Sequence, residues 1–373
     1  MRIAILSCLD FIVPGGAERF FIDMATALDA TIVCLSYDPR LCESYERAAD
    51  VKFHPLHVTL PPEPWRQVAG MRLFRSLKLD YDFYIVTDDM ALRFLVQDVP
   101  HCYFMLTPRR AFYDMYYQTL AALPLMQRLA FMGILGIFRH LDRRFVRTRV
   151  SHIAAISHNV RNRIWKIYGR KATVLYPPIH CDQYENLGDD NFWLSVSRVD
   201  KWKRIDLQVE AFRKMPERRL KIAGKIYPAY KNLVEDAPPN VEFIGVVGDA
   251  ELSKLYGSCR GFVTTAIDED YGLTPLEAMA CGKPVVAVKE GGYLETVVDG
   301  HTGILISPDP DAICAGIEMI EQDPSQYAQA CLTQARAFDY KLFKQQLSMY
   351  VHTLTGAYDR NSLLNVVSGD RSN

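Results

Sequence analysis

The chain has 373 residues, a formal net charge of −1, 49% hydrophobic and 23% charged residues. That length exceeds one ordinary core and calls for two domains of roughly 150 to 200 residues each. The composition excludes a disordered chain, and the near-zero charge removes any global electrostatic case for a nucleic-acid partner. Nine cysteines without a Cys-x-x-Cys pair point to neither a zinc site nor a disulfide framework, so a reducing cytoplasm fits best.

The first apolar run, IAILSC from Ile3, reads as a buried strand rather than a signal peptide, because it ends at Asp10 and is followed by Gly-Gly and a helical pattern. AERFFIDMATAL, TIVCLSY, YDFYIVT and CYFML continue an alternation of helices with short β-rich runs. The stretch Thr119–Phe138 is largely apolar but contains Pro124, Gln127 and Arg128, which leaves too little to span a bilayer. It is followed by RHLDRRFVRTR. The plain expectation is a core helix followed by a solvated basic face. The alternative is a peripheral surface leaning on anionic lipid, at the inner face of the cell membrane.

The same rhythm resumes in HIAAIS, NVRNRIWKIYG and ATVLYPP and stops at Pro177-Pro178. The polar, acidic segment 179–190 lacks periodicity and reads as a linker. Six further strands follow: FWLSVS, LKIAG, VEFIGV, GFVTTA, PVVAV and GILIS. Buried apolar strands alternating with helices specify α/β architecture, two tandem Rossmann-like doubly wound domains with a cleft between them. The expected boundaries are 1–178, linker 179–190, 191–340, a C-terminal helix over 341–360 crossing back to the first domain, and a flexible tail over 361–373. Ligands of such sheets bind where loops leave the carboxyl ends of the strands, so candidate residues belong there.

Three elements qualify. EDYGLTPLE carries Glu269 and Glu277 around Thr274-Pro275. Taken locally, Thr274, Pro275 and Glu277 match a capping box, worth about 0.5–2 kcal/mol at the cap without any ligand. Yet three acids, Asp268, Glu269 and Asp270, stand on the loop before a helix whose free amides suit a phosphate, and Gly272 permits close approach. The second element, SVSRVDKWKRID, offers Arg198 and Lys203 after a strand, either as a solvated basic turn or as a diphosphate clamp. The third, Gly15-Gly16, follows the first strand and lacks the spacing of a dinucleotide-binding loop.

Together these residues resemble the retaining GT-B glycosyltransferases of family 4. The resemblance rests on Gly-Gly-Ala-Glu from Gly15, Arg198 with Lys203, Glu269 and Glu277 within EDYGLTPLEAMACGKPVVAVKEGG, and ETVVDGHTGILI, in that order along nearly the whole chain. It implies that Arg198 and Lys203 hold a donor diphosphate, that Glu269 contacts the transferred sugar, and that Glu277 accepts from the nucleotide ribose. It further implies that Gly15 and Gly16 leave room beside sugar and phosphate, and that the start formed by Gly272, Leu273 and Thr274 meets the phosphate. The catalytic assignments are thus Glu269, Arg198 and Lys203.

The segments YFMLTPRRAFYDMYY and AAISHNVRNRIWKIYGRKATVLYPPI resemble a subgroup that often transfers mannose from GDP-mannose to lipid-linked or polysaccharide acceptors. Arg110 and Asp114 keep its pattern and either face the acceptor or form a surface ion pair. Leu106 departs from it, standing where the subgroup carries a histidine associated with the sugar hydroxymethyl group. Asp268 and Asp270 form an Asp-x-Asp string, but the expectation is no metal and no cofactor, with protein cations meeting the leaving diphosphate. Partners are a nucleotide sugar and a glycan or lipid-linked acceptor. Open alternatives are a UDP-sugar donor, an epimerase or phosphorylase on the same architecture, and a noncatalytic nucleotide-sugar binding protein.

Overall fold

The structure is a computed structural model and describes residues 1–12, 15–61 and 65–356. The expected tail over 361–373 lies outside the described residues. The described residues form two compact units, one comprising those within 1–104, 148–153 and 341–356, the other those within 105–147 and 154–340. The seven-stranded sheet that starts in the first unit also includes strands His152–Ala155 and Thr173–Val174.

In the first unit, parallel strands lie in the order Lys52–Pro55, Thr31–Cys34, Ile3–Leu6, Phe83–Val86, His101–Met105. Ile3–Leu6 and Phe83–Val86 are buried at every position, as strands covered on both faces must be. Helix Gly16–Leu28 buries Phe20, Phe21, Ile22, Met24 and Ala25 and ends at Asp29, whose left-handed backbone turns its amide onto the Ala25 carbonyl. The C-terminal helix Tyr340–Thr355 contributes here: the Phe343 ring lies 5.6 Å from Phe20, and the Tyr350 hydroxyl is 3.6 Å from the Cys102 sulfur. Strands Lys52–Pro55 and Asp10–Phe11 were not expected from the sequence, and the latter pairs with Ser36–Tyr37 at the end of the run TIVCLSY.

The second unit contains a six-stranded, wholly parallel sheet in the order Val241–Gly245, Leu220–Ala223, Trp193–Val196, Gly261–Thr264, Val285–Val288, Gly303–Ile306. The chain begins at Trp193–Val196, runs outward on one side, then returns to continue on the other. The reversal falls between Trp193–Val196 and Gly261–Thr264, and the loops leaving these two neighbours open the crevice in which doubly wound sheets take ligands. The expected linker is fixed along this unit, with the Lys283 ammonium donating to Asn186 at 3.0 Å and the Leu187 amide to the Gly257 carbonyl at 2.8 Å.

The basic segment after Phe138 is not separate from the apolar one, since Leu125–Arg149 is a single helix of 25 residues. It is not a core helix either. Leu125, Met126, Leu129, Met132, Ile137 and Leu141 are all at least half exposed, while the opposite face buries Leu135, Asp142 and Val146. Among the described residues no helix is long and apolar enough to cross a membrane.

Candidate functional site

The loops after Trp193–Val196 and Gly261–Thr264 are joined before any ligand is considered. The Thr265 hydroxyl donates to the Lys203 carbonyl at 2.8 Å and accepts from Gln208 at 2.8 Å, and the Ile267 amide donates to the Trp202 carbonyl at 2.8 Å. This backbone register brings the Lys203 ammonium to 2.5 Å from a Glu269 oxygen, both side chains roughly one-fifth exposed. Arg204, in left-handed backbone at φ +47°, turns its guanidinium to grip both oxygens of Glu290 at 3.0 and 3.2 Å. Glu290 also accepts from the Asp268 amide at 3.1 Å. Arg198 stays 58% exposed, and among the described residues its one ion pair is with Asp200 at 3.6 Å, so its charge is available to a ligand.

The helix expected to start at Pro275 starts at Leu273, and its N-cap is Gly272 at φ +101° with no side-chain cap. A capping box is therefore not formed. Thr274 and Pro275 lie inside the first turn, where a proline costs no hydrogen bond because the first amides have no intrahelical acceptor. Gly272 is required here, since a Cβ would sit 2.9 Å from the Tyr293 ring in backbone that side chains rarely adopt. The Leu273 and Thr274 amides belong to this open first turn. Glu277, freed from capping, accepts at 2.6 Å from the hydroxyl of Tyr256, which is wholly buried. Burial, and next the Glu277 charge, push that phenol well above its ordinary value.

The three consecutive acids, each partly exposed, are engaged by donors of the protein itself. Arg163, 6% exposed, pairs with Asp270, lies 2.8 Å from an Asp268 oxygen and donates at 2.9 Å to the Asp268 carbonyl. Arg110 donates to Asp114 at 2.9 Å, to the Asp268 carbonyl at 3.0 Å and to the Asp268 carboxylate at 3.3 Å. Asn159 donates to the Asp268 carboxylate and to the Glu269 carbonyl at 3.1 and 3.0 Å. Burial raises the Asp270 carboxyl above its usual range, and Arg163 opposes that shift. Glu295 accepts the first amides of helix His158–Tyr168, His158 and Asn159, each at 2.7 Å, which fixes Asn159 and Arg163 against the acidic loop.

Lys203, Glu269, Gly272, Leu273, Thr274, Glu277 and Arg198 thus share one sheet edge, and Arg110 with Asp114 joins the acidic loop rather than forming a surface ion pair. Gly15 and Gly16 belong to the first unit. Gly15 precedes helix Gly16–Leu28 at φ −88°, a conformation open to any residue, and a Cβ on Gly16 would meet no atom within 4 Å. Neither glycine is demanded by its own backbone. Sequence reasoning passed over Arg163, Asn159, Glu290 and Glu295. The spacing of Asn159 and Arg163, one helical turn apart in HNVRNR, was the available signal once three uncompensated acids were in view. Beside this network lies a cavity of about 530 Å³ whose wall carries Tyr113, Arg139, Arg143, Asn162, Arg163 and Lys166.

Residues 180–338, which hold the second sheet and its loops, match the family model of group 1 glycosyl transferases. Over these residues the chain is similar to the group 1 glycosyl transferases. The structure is also similar, over nearly the full chain, to a sucrose-phosphate synthase from Thermosynechococcus elongatus, with a TM-score of 0.77, 18% identity, and coverage of 96% of this chain and 100% of that one. A similar likeness holds to the Anabaena protein HepE in complex with UDP-glucose, with a TM-score of 0.72, 19% identity, and coverage of 95% and 100%. These show the fold, which is GT-B. The alpha-1,3/1,6-mannosyltransferase of Homo sapiens is 29% identical over 217 residues, 48% of this chain and 52% of its own length. The chain spans about half the length of the first curated relatives it matches.

Proposed function

We propose that this protein is a retaining glycosyltransferase that moves a hexosyl unit, mannose from GDP-mannose, to a hydroxyl of a glycan or lipid-linked acceptor without a metal. What supports this reading is that Arg198 and Lys203 follow strand Trp193–Val196 and the open first turn at Leu273 and Thr274 follows its neighbour Gly261–Thr264, on either side of the strand reversal. Rupture of the sugar–phosphate bond sends its electron pair onto the diphosphate, and the developing dianion requires fixed positive charge. Lys203 supplies it by leaving Glu269 for the phosphate, and Arg198 and the helix amides add to it. Glu269 is then free to meet the sugar, and Glu277 the ribose. The acceptor oxygen bonds to the anomeric carbon on the face the phosphate leaves, and its proton passes to the departing phosphate.

Gly15 and Gly16 leave room beside the donor in this reading. A metal is not needed, since Asp268 and Asp270 are already compensated by Arg110 and Arg163. Mannose is favoured by the names of the curated relatives, alpha-1,3/1,6-mannosyltransferases. The complex of HepE with UDP-glucose favours a uridine donor as the second reading.

The experiment is a thermal-shift panel of GDP-mannose, UDP-glucose, UDP-GlcNAc and their free nucleotides, followed by transfer assays with and without EDTA. GDP-mannose is expected to raise Tm most, with transfer indifferent to EDTA. A larger shift with UDP-glucose replaces the donor, activity restored only by manganese rejects the metal-free reading, and binding with no transfer to any acceptor favours a noncatalytic protein. Turnover without an acceptor points to an epimerase, and dependence on inorganic phosphate to a phosphorylase.

The half-exposed apolar face of helix Leu125–Arg149 carries a further part of the reading: it rests on an anionic bilayer surface, at the cytoplasmic face of the cell membrane. Its apolar half runs into Arg144 and Arg147, both exposed on the same side.

A further inference from the structure

The cavity beside the acidic network has an excess of cations that the fold itself does not use. Its carboxylates, Asp114 and Asp268, are engaged by Arg110 and Arg163. Arg139, Arg143 and Lys166 pair with no carboxylate among the described residues. Arg139 is held by the Phe112 carbonyl at 2.5 Å and by the Tyr116 ring at 5.0 Å. Arg143 lies over the Tyr113 ring at 5.5 Å, and its Nε is buried without a hydrogen-bond partner. Aromatic faces and one carbonyl thus orient two guanidinium groups without neutralising them, and Lys166 stands exposed on the opposite wall. Such a set fits a phosphate, which accepts forked donors from arginine and a point charge from lysine.

Helical geometry adds a second part to the site. Met132 precedes Arg139 by seven residues, and Leu129 precedes Arg143 by fourteen, so these side chains share one face of the helix. Both apolar residues are at least half exposed, at 50% and 55%, and at 1.5 Å per residue they extend about 20 Å from the cations. An apolar track that ends at a basic cavity matches a molecule with the same two parts.

We propose that the cavity binds the phosphate or diphosphate end of an amphiphile whose hydrocarbon chain lies along Met132 and Leu129. This rests on the reading of a lipid-linked acceptor and names the groups that recognise it. The test is calorimetric titration of the full chain with dodecyl phosphate below its micellar concentration, with inorganic phosphate, and with the uncharged dodecyl maltoside. Dodecyl phosphate is expected to bind at least tenfold more tightly than either, and Arg143→Gln and Lys166→Gln each to weaken it at least tenfold. Lys166 is exposed, so its variant keeps the test open if Arg143→Gln fails to fold. Equal binding of inorganic phosphate overturns the amphiphile, equal binding of dodecyl maltoside overturns the phosphate site, and unchanged affinity in Lys166→Gln overturns the placement. GDP and UDP titrated into the same samples report on the donor reading alone: absent nucleotide binding beside intact dodecyl phosphate binding rejects the transferase and leaves the cavity assignment standing.

Discussion

Lys203 and Glu269 hold each other in a part-buried pair, and the proposed reaction requires that pair to open when a diphosphate arrives. Removing the cation therefore separates stability from chemistry. In Lys203→Ala the loop remains fixed by the Thr265 and Ile267 hydrogen bonds, which use only the backbone of residues 202 to 204. The pair is partly screened by solvent, so the stability loss is expected to stay within about 1 kcal/mol. Transfer should fall by about 10²–10³, the usual effect of deleting one donor to a developing anion. Chemical denaturation and initial-rate assays on the same preparation check both numbers, and near-normal turnover removes Lys203 from the site. A second residue governs response to acid. His101 is buried, its Nδ1 is 2.7 Å from the Val99 carbonyl and its Nε2 accepts from the Ser151 amide at 3.0 Å. That arrangement fixes the neutral ring with its proton on Nδ1, and burial lowers its pKa below the ordinary value near 6.5. The unfolded chain then binds the proton more readily, so this contribution to stability is present above about pH 6.5 and is lost as pH falls through the lower folded value. Tm should drop between pH 7.5 and pH 5.5, and His101→Ala, less stable at neutral pH, should show a shallower drop. Parallel profiles for the two proteins reject the assignment.

Whole elements explain what the sequence disclosed and what it hid. Runs such as IAIL, FYIV and VVAV announced buried strands because both faces are covered and no polar alternation dilutes them. Lys52–Pro55 escaped notice because its alternately exposed residues and terminal proline mark an edge, where half the pattern belongs to solvent. Thr-Pro followed by Glu suggested a cap, yet Gly272 supplies the left-handed turn and the helix begins one residue before Thr274. The signal was correct in kind and misplaced in register, because local propensity does not encode the packing of Gly272 on Tyr293. Arg163 was invisible for another reason: its partners lie more than 100 residues away in the chain, and only the fold brings them together. Glu277 now permits a sharper test than a cap did. Glu277→Gln still accepts from Tyr256 and should leave Tm nearly unchanged while weakening donor affinity. Glu277→Ala strips the buried phenol of this acceptor and should cost about 1–3 kcal/mol. If the two variants melt alike and bind donor normally, the carboxylate has neither role.

For the whole molecule, the exposed face of helix Leu125–Arg149 is what the proposed membrane contact rests on. A monomer seldom leaves a contiguous apolar strip in water, and this one, from Leu125 to Leu141, is about 24 Å long at 1.5 Å per residue. Arg144 and Arg147 continue the same face, so a surface that is apolar in the interface and negative at its headgroups complements it. Each cation near such a surface contributes about 1 kcal/mol, and two give roughly a 30-fold preference for anionic over neutral bilayers. In a vesicle sedimentation assay the protein should therefore bind phosphatidylglycerol-containing vesicles tens of times more strongly than phosphatidylcholine ones, with the preference fading at high salt. Leu129→Glu with Met132→Glu should abolish binding without lowering Tm, since neither side chain is part of the core. If the wild-type protein is instead a dimer in light scattering, with the same double variant monomeric and vesicle binding absent throughout, the strip is an interface between copies of this chain and the membrane assignment fails.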